Sequence, residues 1–476
     1  MLTQTAYGDS RLSFWLRVRE YAVPPSMIES ATARRSVGDW AGACAAAGID
    51  VDFNLRHVAR SHGHDLAARI RADLRHLAPD LLRWHMPRIA PDGLLRPGLS
   101  LALARYDTAG RDDARPVYLV ARTPPAWADG GQRISLALWD GSRSEAGLSG
   151  DPRRRDRPDR RFRLDLHRHL WDARRADELR VRSGADRPPG GGRSVLDPEL
   201  LEALPQGHRC AVDRWAAEAQ ILLRAEGRPS GTGTVTVRFG AGQRLVLDLA
   251  AEAERNGNGP RPPAVRIAAA PAHGSVPALP VLPEAAAWVL PDLELIRTGS
   301  IEVDRLHPLV ASALVPDRSP AGASAPADRA EAPRLVDCRG EEHRIGLVDG
   351  VLVPLDHDPA EIRREELLVA LTGTPLPCLQ AIDTAHRRPD CLTGVRERLE
   401  HGDTAGALAV VEGLLGADAT LRAGALRDAL EAAAQRRITY GLFRAGLAGP
   451  GPGRTPVRAR RPRHPDRSHP RRANSR

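Results

Sequence analysis

The chain has 476 residues, 42% of them apolar and 4% aromatic, with a formal net charge of +9. That length corresponds to roughly two to four domains, and the apolar content is too high for wholesale disorder. All 69 basic residues are arginine, which excludes the usual P-loop, protein-kinase and Schiff-base or pyridoxal sites, each of which needs a lysine amine.

The charge is unevenly placed. Residues 449–476 carry nine arginines and one aspartate, a net +8, so the other 448 residues carry +1. A nearly neutral body is not built to wrap nucleic acid. The five cysteines are scattered and odd in number, which fits a reducing compartment rather than a disulfide framework. The N-terminus lacks the pattern of a signal peptide. No run reaches the ~18–20 apolar residues of a membrane span. A cytoplasmic location with no membrane partner is expected.

Residues 1–92 read as a helical module. Asp39 is placed to cap a helix over Trp40–Ala45. Leu66, Ile70, Leu74, Leu77 and Leu81 recur at helical spacing, and Pro79 marks the start of a new helix. Residues 93–316 form a β-rich middle region. Leu99–Tyr106, Val117–Ala121 and Ile134–Trp139 are strand-like runs separated by turn formers, the pattern of a meander. An Arg- and Gly-rich insertion at about 140–194 interrupts it, with an apolar stretch at Phe162–Leu179. Asp197-Pro198-Glu199 opens a helix that continues through Trp215, Ala219, Leu222 and Leu223. Val235–Phe239 and Leu245–Leu249 make a hairpin, with a further strand near Val265–Ala268.

Residues 317–333 are a low-complexity linker. Residues 334–448 hold a hairpin, whose strands His343–Val348 and Val351–Leu355 flank a type I′ turn at Asp349-Gly350. Asp358 then caps a helix, and further helices run to about Leu447. Leu426, Leu430, Ala434, Ile438 and Leu442, at helical spacing, mark the last one. The Arg/Pro-rich tail, 449–476, is expected to be disordered. The fold class is therefore α+β, in several modules.

One internal echo stands out. Gly38-Asp-Trp-Ala-Gly-Ala-Cys-Ala45 resembles Gly402-Asp-Thr-Ala-Gly-Ala-Leu-Ala409, and the second copy is similar to the start of a helix in a tetratricopeptide-type hairpin. No 34-residue period joins them. Shared helix-cap chemistry and a degenerate helical repeat both remain open.

The sharpest chemical candidate is Phe162-Arg-Leu-Asp-Leu-His-Arg-His-Leu-Trp-Asp172. Its His167-Arg-His169 resembles the strand-end His-x-His of metal-dependent amidohydrolases and related phosphoesterases. On a strand, residues i and i+2 point the same way, so two imidazoles can reach one metal and activate a water. The resemblance covers about ten residues, and the carboxylated lysine of the usual binuclear site has no counterpart. The bland alternative is a surface segment that packs Leu166, Leu170 and Trp171. His62/His64/Asp65 and the run Cys378, His386, Cys391, His401 have no metal-site spacing. Cys210, two residues after His208, lacks an identifiable partner.

These features imply a non-enzymatic protein-interaction or scaffold protein that needs no cofactor and whose partner is another protein. Trp40, Trp84, Trp127, Trp139 and Trp288 are candidate anchors for cores or interfaces. The alternatives are a metal-dependent hydrolase using His167 and His169, and polyanion binding by Arg454, Arg458, Arg460, Arg461, Arg463, Arg467, Arg471 and Arg472 of the tail, the one place where nucleic acid is expected to bind.

Overall fold

The computed structural model describes residues 11–107, 115–141, 157–186, 204, 210–228, 232–239, 243–250, 264–269, 279–316, 334–338, 341–348, 351–358, 360–364, 377, 389–415 and 424–449. Within them the fold is α+β.

An opening helix over 11–22 leads to α1 (Pro25–Ser36) and α2 (Trp40–Ala46). Asp39 caps α2 as its position implies, accepting from the Gly42 amide at 2.8 Å. Then come β1 (Ile49–Val51), α3 (Leu55–His62), α4 (His64–His76) and α5 (Pro79–Trp84), the last begun by its proline. The stripe Leu66, Ile70, Leu74, Leu77 and Leu81 is buried throughout. The N-terminal region is not purely helical, because β1 and the short pair β2 (Arg88–Ile89) and β3 (Leu94–Leu95) lie within or beside it. Three- and two-residue strands are too short to show an alternating period.

The expected meander is present as β4 (Ser100–Tyr106), β5 (Val117–Arg122) and β6 (Ile134–Trp139), each antiparallel to the next. β1 adds parallel to β6, giving the order β1-β6-β5-β4. One buried cluster draws on this sheet, the helices before it, the 162–179 segment and residues 295–314, and fully buries Trp84 and Trp171.

A second cluster forms around α7 (Val212–Ala225), which follows α6 (Glu178–Ser183). Trp215, Ala219, Leu222 and Leu223 of α7 pack on Val235, Val237 and Phe239 of β7 (Gly233–Phe239) and on Leu245, Leu247 and Leu249 of β8 (Gln243–Ala250). The alternation of both strands accounts for that single buried face. β9 (Ala264–Ala269) completes the antiparallel sheet. The helix start at Asp197-Pro198 lies outside the described residues. Short helices α8 (Glu284–Ala287), α9 (Pro291–Arg297) and α10 (Pro308–Leu314) lead back to the first core.

The C-terminal region opens with the antiparallel β10 (Arg334–Cys338), β11 (Glu341–Val348) and β12 (Val351–Pro354). The Asp349-Gly350 turn lies outside the described residues. Asp358 caps the next helical turn through the Ala360 amide at 2.9 Å. Then come α11 (Pro389–His401), α12 (Thr404–Leu415) and α13 (Ala425–Ala445).

The two echo segments have the same geometry. Asp403 caps α12 through the Gly406 amide at 3.0 Å, as Asp39 caps α2. Five residues upstream, Arg398 and Arg34 grip the same aspartates at 2.8 and 3.0 Å. Gly402 and Gly38 sit at φ +85° and +80°, the left-handed region that glycine enters without strain. Both copies are therefore Arg-x3-Gly-Asp-x-Ala-Gly-Ala helical hairpins.

These C-terminal helices dock on the N-terminal half. Buried Arg83 donates to the carbonyls of Ala22, Gln132 and His401 at 2.9, 2.6 and 3.0 Å. Burial pushes its guanidinium down to about 10. Tyr440 donates to Asp50 at 2.7 Å, Arg444 reaches Asp52 at 2.6 Å, and Phe443 meets Trp127 edge-on at 5.3 Å.

Candidate functional site

Residues 157–172 run beside β4: the amides of Asp159 and Asp165 donate to the carbonyls of Ser100 and Ala102 at 2.9 and 2.8 Å. Trp171 then enters the first core, and its carbonyl accepts from the Ala78 amide at 2.8 Å. Arg168 is drawn to Asp73 at 2.6 Å and to Asp172 at 2.7 Å. Its neighbours His167 and His169 instead line a small cavity against α7.

Two sequence expectations are corrected here. His167 and His169 do not sit on a strand end; they flank and enter a 3-10 turn at Arg168–Leu170. The Arg163–Asp165 and Arg168–Asp172 ion pairs hold the segment curled, which strand pairing would prevent. Nor is this a surface segment, because both imidazoles are buried. The two rings are brought together, with centroids 5.8 Å apart.

His167 Nδ1 lies 2.9 Å from the Arg163 carbonyl, and Nε2 makes an ion-pair contact with Glu218 at 3.1 Å. Arg182 grips Glu218 through two bonds, Nε at 2.6 Å and Nη2 at 2.7 Å. Burial would raise the Glu218 carboxyl, but the bonds from His167 and Arg182 outweigh it and hold it down at about 2. Burial and the adjacent His167 and Arg182 push His169 well below the usual histidine range. The His169 ring is therefore neutral, and its Nδ1 has no hydrogen-bond partner.

Glu218, Arg182 and Arg214 were not singled out from the sequence. The signal was present: Arg214 and Glu218 stand four apart on α7, next to the apolar positions Trp215 and Ala219. Charges that interrupt a core face need a buried partner.

Other candidates stay apart. His62 ends α3 and His64 begins α4, both exposed. His401 is buried at the end of α11, where burial brings it down to about 3. His208, Cys378, His386 and the tail arginines lie outside the described residues, as does the Cys391 side chain. Cys210 bridges Trp288. Among the described residues no group of three or more His, Cys, Asp or Glu side chains is placed to hold a metal ion, and no helix is long and apolar enough to cross a membrane.

A second feature lies on α13, where Leu426 and Leu430 are half-buried and pack with Val395, Leu399, Ala407, Val411 and Ala433 of α11–α13, whereas Ile438 is 56% exposed and Leu442 41%. Each step of four residues drifts about 40° round the helix, which carries Ile438 and Leu442 away from the face where Tyr440 and Arg444 reach Asp50 and Asp52. Leu447, just past the helix, is 76% exposed.

No protein-family model, no curated protein and no solved structure matches this chain.

Proposed function

We propose that the chain is a non-enzymatic protein-interaction protein that presents the outer face of α13 to another protein. One observation carries the reading. Ile438 and Leu442, one turn apart, face outward on a helix whose opposite side is anchored to the body. Large apolar side chains grouped on a held helix are what a partner's groove receives. Ala434, Gly441 and Ala445 flank them, so a partner can approach closely.

A metal-dependent hydrolase at His167 and His169 is the weaker reading. A metal there would have to displace the Arg163 carbonyl or Glu218 from His167, beside the Arg182 cation. The test is affinity capture with the full-length chain, in parallel with an Ile438→Glu/Leu442→Glu variant. A partner retained by the natural chain and lost by the variant supports the reading. Equal retention by both removes α13 from it.

A further inference from the structure

Arg214 is 6% exposed, and among the described residues its buried Nε has no hydrogen-bond partner. A buried cation without a counter-ion is costly. It lines the same cavity as His167, His169, Arg182 and Glu218. Within that set the single carboxylate already serves both Arg182 and His167. Arg182 also has Glu178 at 4.0 Å, whereas Arg214 has no carboxylate of its own among the described residues, and its Nε and His169 Nδ1 border the cavity without hydrogen-bond partners.

We infer that this cavity binds a small, singly charged anion, supplied either as chloride or as the carboxylate of an aliphatic acid. The free space is about 20 Å³, room for about one water-sized group. That admits a monatomic anion or the tip of a carboxylate and excludes a sulfate or phosphate. Leu170, Ala285, Ala286, Trp288 and Leu290 supply the apolar part of the lining. Of these Ala285 is exposed, so an alkyl tail has a way out past it. Arg214 supplies the charge, and the two cores meet at the bound anion through His167 and α7.

The probe is sodium propionate, followed by saturation-transfer NMR on the full-length chain in halide-free HEPES buffer, with chloride and sulfate as competitors. Saturable propionate binding, at least tenfold weaker in Arg214→Gln and in Ala285→Phe, is expected. The Arg214→Gln chain should also show a higher Tm than the natural chain in anion-free buffer, because its buried charge is gone. Ala285→Phe changes an exposed lining residue and leaves Arg214, His167 and His169 intact, so it decides the matter if Arg214→Gln fails to fold. Propionate at least tenfold tighter than chloride identifies a carboxylate as the ligand; chloride displacing it at equal or lower concentration identifies the halide. Sulfate competing as well as either, no saturable binding, or binding unchanged in both variants overturns the site.

Discussion

Replacing Glu218 by Gln should loosen the contact between α7 and the histidine turn more than any other neutral substitution in that helix. The side chain is 4% exposed and is held by Arg182 and His167. Its carboxyl lies at about 2, against an ordinary value of 4.5. At 1.36 kcal/mol per unit that difference corresponds to about 3 kcal/mol of stability, in line with the ~3–5 kcal/mol cost of breaking a buried ion pair. Because the folded value is depressed, the contribution is present above about pH 4.5 and is lost as pH falls toward 2. Hydrogen exchange of the α7 amides is the assay, since it reads local opening. Glu218→Gln should speed their exchange at pH 7 by roughly two orders of magnitude. The variant should also lose less protection than the natural chain between pH 4.5 and 2. An acceleration below about tenfold, or an unchanged acid profile, would refute the reasoning.

Other consequences follow from the docking of the C-terminal helices. Arg83→Met leaves the carbonyls of Ala22, Gln132 and His401 without their shared donor and should cost about 3 kcal/mol or more, read as faster exchange at the end of α11. Arg83→Lys should not restore it, because an ammonium cannot reproduce the guanidinium fork. Gly402→Ala meets both a φ of +85° and the Gly131 carbonyl, and should expose α11–α13 to limited proteolysis while leaving the β4–β6 sheet protected. Removing residues 449–476 takes away a net charge of +8 and should abolish heparin retention at low salt, measured by the salt needed for elution.

The elements were legible wherever one period ran long enough. The leucine stripe of α4, the meander β4–β6 and the alternation of β7 and β8 could all be read from the sequence, because each buries one face. β1 was not legible: three residues, Ile49–Val51, pair parallel with β6 across more than 80 positions, and local pattern carries no such information. The spacing on α13 marked the helix but not how far one face stays docked: the drift of about 40° per step leaves Leu426 and Leu430 in the packed cluster and takes Ile438 and Leu442 off the face that Tyr440, Phe443 and Arg444 anchor through Asp50, Trp127 and Asp52. The histidine pair was visible as a motif, but its setting was not. Glu218 lies 51 residues from His167, and the curl that brings the rings inward is held by the Arg163–Asp165 and Arg168–Asp172 pairs. The echo at Gly38 and Gly402 was legible as a cap signature, and the matching Arg34 and Arg398 grips extend it to the whole hairpin turn.

The central claim, that α13 offers its outer face to another protein, is tested most directly by a photo-crosslinking amino acid placed at position 438 in living cells. The account predicts a discrete adduct with a second protein from position 438 and none from the buried position 433. No adduct from 438, or the same adducts from an exposed control such as position 37, would contradict it.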